Sequence, residues 1–231
     1  MALVHGIKPI VTSGLVLCLD AGNLKSYPGS GTTWTDLSGN GNHATLFNTP
    51  IWSNTNGGTF TFDSTSDYAE VPDGFANFTS GITVFAFVNM GAANSWERII
   101  DFGGPAEGQN CILFARSGTD NTLIFQFIGI SGNPSISATN GIVNNTIACY
   151  AGTANGTTGA LYRNGVSILS QSFTSLPPNA TRTNCWIGRS NFFQDPYFQG
   201  TMHLILIYNR ALTAAEIAQN YNALKGRYGL S

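Results

Sequence analysis

A chain of 231 residues with a formal net charge of -2, in which 10% of residues are charged and 42% hydrophobic, has to cover its surface with Asn, Thr, Ser and Gly. Its Lys and Arg are scattered and offer no run that could neutralise a row of phosphates, which excludes nucleic acid as an expected partner. Apolar windows such as 82–88 and 204–208 fall far short of the roughly 20 residues that cross a bilayer as a helix, so no membrane partner is expected.

The length suits one all-β domain, and residues 1–13 read as a leader strand or tether ahead of a single domain over 14–231. "MALVHGIKPIV" is interrupted by His5, Lys8 and Pro9 where a secretory signal needs an apolar core, which points to synthesis in a cytoplasm. From Gly14 onward, runs rich in Val, Ile, Phe, Tyr and Thr alternate with Gly, Asn, Ser and Pro clusters. Strands are expected at 15–20, 58–63, 68–71, 82–90, 97–103, 111–117, 122–130, 146–154, 160–173, 185–189 and 201–209. Within 160–173, Asn164-Gly165 lies between two apolar-containing runs and predicts a type I′ hairpin, because both residues tolerate positive φ. "ITVFAFV" is apolar on both faces and predicts a central strand, whereas "GTFTFD" alternates and predicts a half-exposed one.

One helix is expected, in "LTAAEIAQNYNALKG". Thr213 and Glu216 form a capping box, Leu212 and Ile217 a hydrophobic staple, and Ile217, Tyr221 and Leu224 an apolar stripe; Gly226 offers a left-handed exit. The helix is expected on the edge of a two-sheet sandwich. Cys18, Cys111, Cys149 and Cys185 lie far apart in apolar contexts and read as free, buried thiols.

The order of "GLVLCLDAGN" at 14, "WTDLSGNGNHATL" at 34, "FTFDSTSDYAEVP" at 60, "ITVFAFVN" at 82, "YRNGV" at 162 and "FQGTMHLILIYNRALTAAEI" at 198 resembles the concanavalin A-like, laminin-G-like family. The resemblance implies a jelly-roll sandwich of two antiparallel sheets with one short C-terminal helix. "VTSGLVLCLDAGNLKSYPGSGTTWTDLSGNGN" and "YNRALTAAEIAQNYNALKGRYGL" are similar, more narrowly, to laminin-G-like proteins of tailed bacteriophages. That likeness implies a location in the virion after synthesis in the host cytoplasm.

Glucanases of this fold carry an alternating acidic strand, and this chain has none. Glu97 and Asp101, the nearest approach, lie on one strand face about 13 Å apart, too far for a retaining pair. They and the other acids read as edge and turn carboxylates, and no catalytic residue is assigned. His5, His43 and His203 stand in no nucleophile or zinc setting. "DLSGNGN" is rich in oxygen donors that suit calcium, and Asp20, Asp36 and Asn40 are the weak calcium candidates. Relatives of this kind complete such a site with an acid on the last long strand, where this chain has His203. The segment therefore reads first as a turn, with Asp36 and Ser38 making side-chain turns and Gly39, Asn40, Gly41 and Asn42 supplying positive φ. No metal or cofactor is assigned.

Trp34, Trp52, Trp96 and Trp186 are the aromatic candidates for a sugar, against core or rim packing. "NFFQDPYFQG" places Phe192, Phe193 and Tyr197 on one loop as a candidate contact surface, with Phe198 in the core. The leading expectation is a non-catalytic structural component of a bacteriophage virion, a capsid decoration or a head or tail fibre module. It would act by surface contacts with other virion proteins and with copies of itself as a homo-oligomer. A glycan-binding lectin module for host adhesion is the alternative, with a host surface glycan as partner, and a glycoside hydrolase is the third.

Overall fold

The computed structural model describes residues 8–92 and 94–231. In chain order its strands are β1 (Leu15–Asp20), β2 (Thr33–Trp34), β3 (Ala44–Phe47), β4 (Ile51–Ser53), β5 (Thr59–Asp63), β6 (Tyr68–Glu70), β7 (Ile82–Met90) and β8 (Arg98–Gly103). They continue as β9 (Cys111–Ser117), β10 (Thr122–Ile128), β11 (Ser135–Ala138), β12 (Ile147–Ala154), β13 (Thr158–Arg163), β14 (Val166–Ser172), β15 (Asn184–Ile187) and β16 (Gln199–Tyr208). Helix α1 (Ala214–Leu224) follows, then a 3-10 turn over Lys225–Tyr228.

The strands form two antiparallel sheets. The first runs β14-β13-β12-β7-β16-β5-β4, with β1 also on β16; the second runs β11-β10-β9-β8-β15-β6-β3-β2. Between them lies the main core, to which Leu19, Phe60, Val84, Phe102, Phe114, Phe125 and Ile205 contribute inward side chains. The fold is therefore the all-β jelly-roll sandwich expected from the alternation of strand and turn signals.

β7 is buried on both faces, as its unbroken apolar run requires, and β5 alternates buried and exposed positions from Phe60 onward. The second face of β7 is covered by α1, whose Ile217 and Tyr221 pack with Phe85, Phe87, Leu204, Leu206 and Tyr208. Full burial of a side chain such as Phe87 contributes about 1.5–3 kcal/mol. The helix thus lies on the outer face of the first sheet, not on the sandwich edge where the sequence put it. Outward Phe and Leu on adjacent central strands need a lid, and the amphipathic helix supplies it.

The capping box forms as expected: Thr213 Oγ1 accepts the Glu216 backbone N–H at 3.3 Å, and Glu216 accepts the Thr213 N–H at 2.8 Å. The left-handed exit does not fall on Gly226. A 3-10 turn extends the helix, and Gly229 takes that role at φ 69°. In the hairpin, Asn164 and Gly165 have φ of 50° and 77°. All four cysteines are free and buried, and burial pushes the Cys18 and Cys185 thiols up to about 12.

Residues 1–7 of the expected leader lie outside the described residues. Residues 9–13 dock against the helix: the Val11 N–H donates to Asn220 at 2.8 Å, and the Tyr208 hydroxyl donates to the Val11 carbonyl at 2.9 Å. Among the described residues, no helix is long and apolar enough to cross a membrane.

Candidate functional site

With α1 covering the first sheet, the outer face of the second sheet is the broad surface left for ligands. Leu113, Ala115 and Ile124 project from β9 and β10 onto this face and form an apolar floor with Trp96 and Ile128. The loop from Gly188 to Phe198 folds back across the face and is pinned there by buried charges. Asp101 is fully buried and accepts the Asn191 backbone N–H at 3.1 Å and its side-chain amide at 3.0 Å. Arg98 bridges Asp101, at 3.2 Å, to Asp195 of the loop, at 2.6 Å. Ser190 donates to the same Asp195 oxygen at 2.9 Å. Burial raises the Asp101 carboxyl, while Arg98 and Asn191 pull it back toward the charged form.

Beside the pinned loop is a cleft of about 240 Å³ lined by Trp96, Arg98, Leu113, Gln126, Ile128, Phe192 and Asp195. Trp96 and Phe192 make its aromatic walls. The Arg98 guanidinium lies between them, 5.6 Å from the Trp96 ring and 5.9 Å from the Phe192 ring, within cation–π reach of both. Trp96 has φ of 60°. A bulky side chain in the left-handed region costs about 1–3 kcal/mol and persists only where its surroundings hold it. Here Arg98 donates to the Trp96 carbonyl, and the Trp96 N–H donates to the Gly118 carbonyl at 3.3 Å. The strained residue is the one that walls the cleft.

Aromatic walls, an amide at Gln126, a carboxylate at Asp195 and a guanidinium at Arg98 suit a ligand with apolar C–H faces and a rim of hydroxyls. The same geometry engages the acids that could catalyse. Asp101 is saturated by Arg98 and Asn191, whereas Asp195 is held through Oδ2 alone, by Arg98 and Ser190. Glu97 is also fully buried, accepting from Arg116 at 2.8 Å and from the Gln199 backbone at 3.0 Å. Glu97 and Asp101 are thus buried partners of arginines rather than the edge and turn carboxylates the sequence suggested, because β8 itself supplies Arg98 and the neighbouring β9 supplies Arg116.

The calcium candidates are drawn apart by other partners. Both Asp20 oxygens face the Arg227 guanidinium. Asp36 Oδ1 accepts the Cys18 and Ser38 backbone N–H groups, each at 2.8 Å, and Oδ2 accepts the Ser38 hydroxyl at 2.7 Å and the Asn42 N–H at 3.0 Å. The Asn40 amide donates to the Leu15 carbonyl at 3.0 Å. Among the described residues, no cluster of three His, Cys, Asp or Glu side chains is placed to hold a metal. Of the four turn residues, Gly39 and Gly41 take positive φ, whereas Asn40 and Asn42 act through their side chains, Asn42 donating to the Val16 carbonyl at 2.8 Å.

The loop aromatics separate as well. Phe192 enters the cleft, Tyr197 packs 6.1 Å from Tyr68 on the other side of the loop, and Phe193 alone stands out at 65% exposed. Trp34 is fully buried, Trp52 donates to the Ala21 carbonyl at 2.8 Å, and Trp186 is buried on the outer face of β15. Sequence reasoning singled out Trp96 and Phe192 separately and missed Arg98, Gln126 and Asp195. Their only signal was outward polar positions in strands and loops whose pairing is not local.

Residues 63–218 match the family model described as the concanavalin A-like lectin/glucanases superfamily. No curated protein sequence matches the chain. Among solved structures, the chain is similar to domain 4 of AbnA, an extracellular arabinanase of Geobacillus stearothermophilus, in complex with arabinotriose. The TM-score is 0.72 at 16% identity, over 90% of this chain and 98% of that one. The binding domain of botulinum neurotoxin serotype G superposes with a TM-score of 0.67 at 16% identity, over 90% of this chain and 50% of that one. A Trypanosoma rangeli sialidase mutant displaying trans-sialidase activity gives 0.64 at 16% identity, over 96% of this chain and 35% of that one. At such identities the likeness is one of fold.

Proposed function

We propose that the chain, which belongs to the concanavalin A-like lectin/glucanases superfamily, is a non-catalytic carbohydrate-binding module that takes a sugar in the cleft between Trp96 and Phe192. The observation that carries this reading is Trp96, whose left-handed backbone holds an indole against an apolar floor beside Gln126 and Asp195. The structural relatives lend support: the arabinanase domain was solved with arabinotriose bound. The burial of Asp101 and Glu97 against arginines, and the hold of Arg98 on Asp195 Oδ2, tie up the acids nearest the cleft, which favours binding over hydrolysis there.

Screening the chain on a glycan array and measuring the best ligand by calorimetry tests this. Trp96→Ala is expected to lower affinity about tenfold or more, since a central aromatic anchor is worth at least ~1.4 kcal/mol. Undiminished binding in that variant, or hydrolysis of the ligand that disappears in Asp195→Asn, would overturn the reading.

The second reading is a structural component of a phage particle, joined through surface contacts to other virion proteins or to further copies of the chain. It is favoured by the similarity of the segments at 11–42 and 208–230 to laminin-G-like phage proteins and by the exposed Phe193 on the loop. The two readings are compatible, because a module that decorates a virion can also bind a host glycan. The virion reading requires that the chain be found by mass spectrometry in purified particles.

A further inference from the structure

On the far side of the pinned loop, the same sheet face carries a second cluster that the cleft does not use. Register across β6 and β15 sets Glu70 directly beside Trp186, both facing outward. The Arg189 guanidinium lies 3.9 Å from the Trp186 ring centre, 4.8 Å from that of Tyr68 and 5.9 Å from that of Tyr197. Each of the other arginines among the described residues donates to a carboxylate or a carbonyl. Among the described residues, Arg189 makes no ion pair and, beyond a loose approach to the Tyr68 hydroxyl, no hydrogen bond. The indole N–H of Trp186, a residue 6% exposed, is likewise without a full hydrogen bond and makes only a loose approach to the Glu70 carboxyl. Unsatisfied buried donors in native proteins call for a partner. Glu70, paired in register with Trp186, also lines an open hollow of about 220 Å³ with His43, Thr45, Phe47 and Asp73. His43 Nδ1 accepts the Asp36 N–H at 3.1 Å, which leaves Nε2 to carry the proton as a donor.

The geometry points to a second binding site here, for a neutral sugar ring with adjacent hydroxyls, independent of the Trp96 cleft. A guanidinium and a half-buried carboxylate that both flank Trp186 without forming an ion pair are matched by adjacent hydroxyls, which accept from Arg189 and donate to Glu70. An anion would meet Glu70 and Asp73, and a cation would meet Arg189, so neither charge is favoured. Tyr197 offers ring surface to the C–H face of a pyranose, while Tyr68, stacked on Phe47 at 4.6 Å, helps hold the Arg189 fork over its ring before the ligand arrives. Burial raises the Glu70 carboxyl, and the Trp186 indole N–H and, less, Arg189 partly offset this, so the acceptor the site needs is a desolvated one.

The indole N–H signals of the four tryptophans in a proton–nitrogen correlation spectrum of the full chain read both sites at once. Trp186 is assigned by loss of its signal in Trp186→Phe, and Trp96 by Trp96→Ala. Titration uses methyl α-mannopyranoside, methyl β-galactopyranoside and N-acetylneuraminic acid. The expected result is a saturable shift of the Trp186 signal with at least one neutral pyranoside, retained in Trp96→Ala and weakened about tenfold or more in both Glu70→Gln and Arg189→Lys. The site is overturned by an unmoved Trp186 signal in the folded protein, by a response that vanishes in Trp96→Ala, or by the acidic sugar binding more tightly once Glu70 is neutralised. Failure of the cleft instead shows as an unmoved Trp96 signal, so the two proposals stand or fall separately.

Discussion

Glu97→Gln removes one buried negative charge just ahead of β8 and leaves Arg116 buried with amide and carbonyl partners alone, Asn121 at 2.8 Å and Asn144 at 3.0 Å among them. Both members of the Glu97–Arg116 pair are 0% exposed, so the stranded guanidinium cannot recover its hydration. Breaking such a pair from one side costs about 3–5 kcal/mol, whereas replacing both members by apolar residues of similar volume is often near neutral. The expected outcome is that Glu97→Gln lowers the free energy of unfolding by that amount in urea. The double variant Glu97→Leu, Arg116→Met should lose less than the sum of its single variants. A wild-type urea midpoint in Glu97→Gln would mean that the pair contributes nothing. Arg98 does a different job from Arg116: it ties the sheet to Asp195 on the loop and so sets the wall of the cleft. None of this was legible in "ERIID", where alternation placed two acids on one face but could not show that arginines from the same and the next strand would neutralise them.

At the scale of elements, the readable signals were local ones. Asn164-Gly165 carries its own turn geometry, and Thr213 and Glu216 carry their own cap. The strands β2, β3, β4 and β11, two to four residues each, escaped because segments such as "ATLF" and "SISA" are too short for alternation to outweigh the turn residues around them. Their pairing comes from distant strands, β3 with β6 and β11 with β10. The position of α1 was implicit in strands apolar on both faces, since the outer face of β7 and β16 has to be covered by something. Thr213→Ala is expected to cost about 1 kcal/mol, the usual worth of an N-cap. Because α1 is the lid on Phe87 and Leu206, the loss should appear in the global unfolding transition rather than as fraying of the helix alone. Glu216 also pairs with Arg210, which with the cap holds its carboxyl at about 2. A carboxyl lowered on folding stabilises fully above its ordinary value near 4.5, and this is lost as pH falls toward about 2. Glu216→Gln should therefore flatten the acid limb of stability in that window, as measured by thermal melts across pH.

At the scale of the whole molecule, segments far apart in the chain meet around His203. The β16 register against β7 shifts between Met202 and Leu204, and His203 occupies that bulge, where β1 and β5 both run alongside β16. Its Nδ1 lies 2.9 Å from the Gly58 carbonyl, its Nε2 lies 3.1 Å from the Thr201 hydroxyl, and its backbone carbonyl accepts the Ala21 N–H at 2.9 Å. The geometry fits a neutral imidazole that donates from Nδ1 and accepts at Nε2. The Arg227 guanidinium, itself paired with Asp20, and the Tyr228 ring at 5.3 Å close the site. Burial lowers the His203 pKa from 6.5, and the Arg227 charge lowers it further. For a base lowered on folding, the unfolded chain takes up the proton first. Its stabilising contribution is therefore complete above 6.5 and declines as pH falls from 6.5 toward the depressed folded value. Buried carboxyls raised on folding, Glu97, Asp101 and Glu70 among them, act in the opposite sense over lower pH, so the raw stability curve mixes the two. The difference between wild type and His203→Gln isolates the histidine, because glutamine keeps a donor for the Gly58 carbonyl without a titrating proton. That difference should shrink as pH is lowered below 6.5, read from urea unfolding at a series of pH values. A difference that stays constant with pH would show that His203 serves the seam by packing alone.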